Sequence, residues 1–180
     1  YTVNKYTPSA TTYDVLPFND PLLKDQWHYD NRSQTGFGDA DINLFEAWTK
    51  TAGANNIIVS VHDQGVDVKH TDLKTNMWVN QAEFNGSPNV DDDGNGYVDD
   101  INGYNFEKSK GALDAQFHGT HVAGTIAAVN NNGKGVSGVA GGSGNGDGAK
   151  IMSLQIFGGA PVEKTYVYAA NNGAVISQNS

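Results

Sequence analysis

Two short segments of this chain hold the residues best suited to acid–base chemistry. In the first, Gln116-Phe117-His118-Gly119-Thr120-His121-Val122-Ala123-Gly124-Thr125, a histidine stands at the mouth of a run of small residues. In the second, Val59-Ser60-Val61-His62-Asp63-Gln64-Gly65, an apolar run ends on an aspartate with one residue between it and a glycine. An aspartate that holds a histidine supplies two members of a charge-assisted nucleophilic triad, in which the histidine carries a proton from and to the reacting atoms. Each segment alone has a plainer reading. Asp-x-Gly occurs in ordinary turns, and a histidine in a small-residue helix can be a hydrogen-bonded core group. His121, one turn further on, is expected to be such a core histidine.

A third segment is acidic. Asp91, Asp92, Asp93, Asp99 and Asp100 are five aspartates within ten residues. Asp91, Asp93 and Asn95 alternate, glycines provide the bend, and Tyr97 offers a backbone carbonyl, so the donors follow calcium-loop chemistry. Asp99 and Asp100 extend the oxygen set. The loop is not an EF-hand: its twelfth position is Asn102, and no amphipathic helices flank it. Five like charges so close repel one another unless a cation offsets them, which favours Ca²⁺ over a solvated acidic loop.

These residues need a scaffold. At 180 residues the chain is long enough for one domain with a real core. Eleven basic against twenty acidic residues give a net charge of −9, which argues against nucleic acid or an anionic membrane as the main partner. No apolar run approaches the ~20 residues of a membrane span. With no cysteine, neither disulfides nor thiolate chemistry enter. Residues 1–19, polar and Thr/Tyr-rich, read as an extended arm. A helix is expected over 41–50, with Asp41 as N-cap and Ile42, Phe45 and Trp48 on one face. A buried strand follows over 57–61, then a loop from 69 to 115, long enough to need a function or a metal to hold it. Residues 118–129 read as a helix, 130–135 as turn, 151–157 as strand, 163–170 as helix and 174–177 as strand. Strand–helix alternation of this kind predicts an α/β fold with a parallel sheet, and Asp63 lies at a strand end, where such sheets place their sites. Ala174-Val175-Ile176-Ser177 has the character of an interior strand, so a sheet ending there is expected to leave an edge and apolar faces open.

The aspartate and histidine segments together resemble the subtilisin-like serine proteases (subtilases). That family's signatures read as an apolar strand followed by D-S/T-G, and as H-G-T-H-V-A-G-T, which His118 to Thr125 matches without a change. Val66-Asp67-Val68-Lys69-His70-Thr71-Asp72-Leu73 continues the first signature in the family manner, and the similarity extends from Asp20 to Asn179. It implies an α/β, three-layer, mainly parallel fold, with residues 20–180 as the N-terminal half of a catalytic domain. Asp63 would orient His118, which would take the proton of a serine hydroxyl during acyl transfer from a polypeptide substrate. Residues 156–159 and 177–180 would border the substrate cleft. Three positions depart from the pattern: Gln64 replaces Ser or Thr, His62 replaces an apolar residue, and Thr71 stands where proline is common.

Two family pieces are absent from the sequence. No segment resembles G-T-S-x-S/A-x-P, which carries the nucleophile; Ser137 and Ser143 sit beside glycines and read as loop turns. The oxyanion-hole asparagine of A-A-G-N is missing as well, and one such donor is worth about 10²–10³ in rate. The chain alone is therefore expected not to hydrolyse peptides. The resemblance also implies that the acidic loop binds Ca²⁺ and that a second Ca²⁺ is held by Asp20, Asp72, the side chain of Asn132 and the carbonyls of Val129, Lys134 and Val136. It implies secretion or a cell-surface location, with the C-terminal half of the same protease or a second copy of this chain as partner. A nicked fragment, a shortened chain and a naturally non-catalytic relative are all compatible with the sequence. The alternative function is a calcium-dependent binding or adhesion module that keeps the scaffold without the catalysis.

Overall fold

The computed structural model describes residues 15–34 and 36–180. Most of the expected arm over 1–19 lies outside the described residues. A 3-10 turn at Leu23–Asp25 precedes α1 (Leu44–Trp48) and β1 (Ile58–Asp63). A second such turn at Lys74–Asn76 leads to α2 (Gln81–Asn85) and β2 (Gly103–Asn105). Then come α3 (Phe117–Ala127), β3 (Lys150–Gln155), α4 (Val162–Asn171) and β4 (Ile176–Asn179).

The four strands form one parallel sheet in the order β2-β3-β1-β4. The two apolar runs, β1 and β3, take the interior places, as strands covered on both faces must. Alternation along the strand divides their side chains between two layers. Val59, Val61 and Ile151 meet Ala123 and Ala127 of α3 on one side. Met152 and Leu154 meet Tyr104, Phe106 and, from α4, Tyr168 and Ala169 on the other. Helix, sheet and helix make the three layers that the sequence led one to expect. Each buried aliphatic side chain contributes roughly 1.5–3 kcal/mol. A satellite cluster of Leu23, Tyr29, Leu44 and Phe45 lies under the N-terminal segment.

Several elements differ from the expectation. The helix expected over 41–50 begins only at Leu44, after Asn43 in a left-handed conformation (φ 51°). The Asp41 carboxylate accepts from the N–H groups of Asn31 and Asn43, so it organises the preceding turn and does not cap the helix. Ile42 is exposed, and Leu44 takes the buried position beside Phe45. The stretch 69–115 is not one loop. It holds α2 and β2, because Tyr104 and Phe106 find an apolar layer to enter. The last strand starts two residues later than expected, at Ile176, and forms the open edge that was expected, with Val175 65% and Ile176 52% exposed.

Candidate active site

Asp63 is the last residue of β1 and shares the face of Val59 and Val61, the one covered by α3. Its side chain is 2% exposed, and Oδ1 accepts the Gln64 N–H at 2.7 Å. His118, the second residue of α3, donates its Nδ1–H to both carboxylate oxygens, at 2.9 and 2.8 Å. A carboxylate only accepts, so the proton sits on Nδ1 and Nε2 keeps its lone pair. The His118 side chain is 53% exposed. A buried acid therefore presents to solvent an imidazole in the tautomer that can take a proton from a hydroxyl.

Local sequence explains how the helix reaches the strand end. A Cβ on Gly119 would collide with the Gly65 carbonyl oxygen and come within 3.2 Å of the Asp63 Cβ. Gly65 itself has φ +121°, a conformation that other residues rarely adopt. Thr120 ties the helix down: its Oγ1 accepts from the Asp67 N–H at 2.8 Å and donates to the Gln116 carbonyl at 2.6 Å.

One neighbour departs from the sequence reading, and the structure places two others. His121 is exposed and stacks on Phe117, whereas a core position was expected. Gly124 faces open space, so close packing explains Gly119 but not Gly124. His62 is fully buried on the opposite face of the sheet, between Ser60 and Thr165, and burial lowers its pKa. A cavity of about 660 Å³ runs along α3, with Asp67, His70, Phe117, His121 and Thr125 in its wall. Asp63 and His118 are not part of that wall.

In the acidic segment, oxygens of Glu83, Asp93 and Asp100 lie within 4.8 Å of one another. Glu83 and Asp100 are buried, and burial is the main cause that raises the Asp100 carboxyl. Asn95 donates its side-chain N–H to Asp93 and Asp100, each at 3.0 Å. Asp91 instead accepts the Asn95 and Gly96 N–H groups, and Asp99 accepts that of Asn89. The Tyr97 ring packs against Tyr104 and Tyr168. Glu83 was missed in the sequence. Its signal was a capping pattern, Asn80-x-x-Glu83, since Asn80 does cap α2. Converging anionic oxygens, two of them out of water, suit a hard divalent cation.

A second group of buried carboxylates joins the N-terminal segment to the loop after α3. Asp20 accepts the N–H groups of Asn131 and Asn132 and the Ser137 hydroxyl. Asp72 accepts from the Asn132 side chain at 2.7 Å and the Val136 N–H at 3.1 Å, while its own carbonyl accepts the Val129 N–H. The Asn132 side-chain oxygen accepts the Lys134 N–H. All six residues expected at a second site thus gather around one loop. Burial raises the Asp72 carboxyl, and Asp20 adds to the shift.

The model of the subtilase family matches residues 54–180. Subtilisin-like protease 1 of Plasmodium vivax is 40% identical over 128 residues, covering 69% of this chain and 19% of that protein. The extracellular basic protease of Dichelobacter nodosus is 34% identical over 151 residues, covering 78% of this chain and 23% of that protein. The chain thus spans about a fifth of the length of these curated relatives. Among solved structures, the serine protease of Aeromonas sobria in complex with its chaperone superposes with a TM-score of 0.64. That match covers 93% of this chain and 25% of the other at 23% identity, a level at which the fold is what is shared.

Proposed function

Because the chain belongs to the subtilase family of serine proteases, we propose that it supplies the acid and base of a peptide-bond-hydrolysing triad, Asp63 and His118. The two-oxygen grip of Asp63 on His118 Nδ1 carries this reading, because it leaves Nε2 free on the open side of the ring. Asp63 fixes the tautomer and stabilises the imidazolium that forms when Nε2 takes a serine proton; Nε2 then returns that proton to the leaving amine. In this reading the serine and the oxyanion-hole donor are supplied by a partner segment that carries the family's G-T-S and A-A-G-N signatures. The substrate is polypeptide, and the relatives that are extracellular proteases support a secreted or surface location. No helix among the described residues is long and apolar enough to cross a membrane.

Calcium belongs to the same reading. Glu83, Asp93 and Asp100 would hold one Ca²⁺, with Asn95 and the Tyr97 carbonyl completing its oxygen shell and Asp91 and Asp99 shaping the loop. Asp20, Asp72, Asn132 and the carbonyls of Val129, Lys134 and Val136 would hold a second. Each ion supplies positive charge that offsets buried carboxylates; neither takes part in the proton transfers.

The test is co-expression of the chain with the remainder of its catalytic domain, followed by an assay on unfolded protein substrate. Hydrolysis is expected, and His118→Ala should reduce it on the order of 10⁴-fold or more. A complex that assembles and binds calcium but does not cleave would replace this reading with that of a binding module.

A further inference from the structure

Gln155 is paired directly with Asp63 across the β1–β3 ladder, and both close the carboxyl edge of the sheet. Gln155 lies on the same face as Ile151, the face on which α3 packs. It is 2% exposed, and a buried amide must have its hydrogen bonds satisfied. All of those bonds go to the strap over 106–116 that joins β2 to α3. Its Oε1 accepts the Asp114 backbone N–H at 3.1 Å, and its Nε2 donates to the Asp114 carboxylate at 2.9 Å and to Glu107 at 3.3 Å.

The Asp114 oxygen that accepts from Gln155 has two further partners. Lys108 Nζ lies 2.6 Å from it, and Asn105 donates to the same oxygen at 3.4 Å. The Lys108 hydrogen bond, followed by that of Gln155, pulls the Asp114 carboxyl down to about 2. Packing then carries the position forward. A Cβ on Gly65 would run into the Asp114 carbonyl on one side, and a Cβ on Gly119 would run into the Gly65 carbonyl on the other. The strap, the turn after β1 and the first turn of α3 are therefore stacked backbone on backbone, with Gln155 as the buried fastener. Three residues separate Asp114 from His118, so any lift of the strap moves the imidazole relative to Asp63.

We infer that Gln155 is a positioning residue for the acid–base pair: through Asp114 it fixes the strap that sets His118 Nδ1 against Asp63. Gln155 touches neither His118 nor substrate and acts only through geometry. The inference rests on the reading of Asp63 and His118 as the working pair, but its test reads their hydrogen bond and needs no catalysis.

The experiment is ¹⁵N-resolved NMR of the 180-residue chain, following the His118 Nδ1–H proton and its exchange with solvent. In Gln155→Leu, exchange should accelerate about fivefold, the loss that one ordinary hydrogen bond corresponds to, while the backbone spectrum outside the strap and α3 stays unchanged. Asp114→Asn cuts the Lys108 ion pair without emptying a buried site, and should accelerate the same proton less. If Gln155→Leu fails to fold, Asp114→Asn alone decides the matter. A folded variant with His118 Nδ1–H exchange within a factor of two of the native chain would overturn the inference. Absence of hydrolysis in the reconstituted enzyme would overturn the protease reading and leave this measurement standing.

Discussion

His62 and Asp63 are adjacent in the chain and face opposite sides of the sheet, so Asp63 meets His118 of α3 and His62 packs against α4. The Thr165 hydroxyl donates to the Val162 carbonyl at 2.7 Å, so its oxygen accepts the His62 Nδ1–H at 2.8 Å. Nε2 lies 3.0 Å from the Ser60 hydroxyl, and the ring stacks on Tyr166. Burial lowers the His62 pKa, so the folded chain holds this ring neutral after the unfolded chain has begun to protonate it. Its contribution to stability is full above the unfolded value of about 6.5 and is lost as pH falls from there through the folded value. Thermal unfolding followed from about pH 7.5 to about pH 5 should show Tm falling, and His62→Leu should flatten that slope. Ser60 and Thr165 keep their carbonyl partners in the variant, so a loss of folding is not expected. A slope equally steep in His62→Leu would assign the acid sensitivity to other groups.

Helix α3 contains two glycines that look alike in sequence and do opposite work. Gly119 lies against the Gly65 carbonyl, where a methyl group has no room; Gly124 faces open space. Gly119→Ala should cost about 1–3 kcal/mol through overpacking and should loosen His118 from Asp63. Gly124→Ala should add roughly 0.5–1 kcal/mol, because alanine is the better helix former and nothing opposes its methyl. Urea unfolding of both variants checks the pair, and equal effects would show that α3 does not press on the β1 turn as described. The same contrast marks how far sequence reaches. Interior strands β1 and β3, and helices α3 and α4, were legible because apolar periodicity and burial coincide there. The meeting of Asp63 and His118 was legible because each sits at the end of such an element. Strand β2 was hidden: Gly103-Tyr104-Asn105 has no β-branched run, and only the β3 ladder and the burial of Tyr104 make it a strand. Helix α2, at five residues, was also too short to show a period, although its Asn80 cap was on view. Gln155 carried no local signal, since its role depends on Asp114, 41 residues away in the chain.

Across the whole molecule, the net charge of −9 is unevenly spent: some carboxylates lie at the surface, while Asp20, Asp72, Glu83 and Asp100 are buried. Burial pushes the Asp100 carboxyl up. In a metal-free chain its stabilising contribution is therefore full below the unfolded value near 3.9 and lost as pH rises through the folded one. At neutral pH the electrostatic cost stands in full, and a cation among Glu83, Asp93 and Asp100 would offset it most there. Binding to the folded state alone adds about 2.7 kcal/mol at a hundredfold excess over Kd. For a chain of this size that corresponds to a rise in Tm of about 5–10 °C. Calcium should therefore raise Tm at neutral pH, a chelator should reverse the rise, and the shift should shrink near pH 4, where protons compete for the same oxygens. Glu83→Gln should remove much of the shift while leaving the Asp20–Asp72 group intact, and Asp72→Asn should do the converse. A Tm indifferent to calcium in the native chain would mean that hydrogen bonds alone hold these carboxylates, with Asn80, Asn95 and Tyr168 satisfying Asp100.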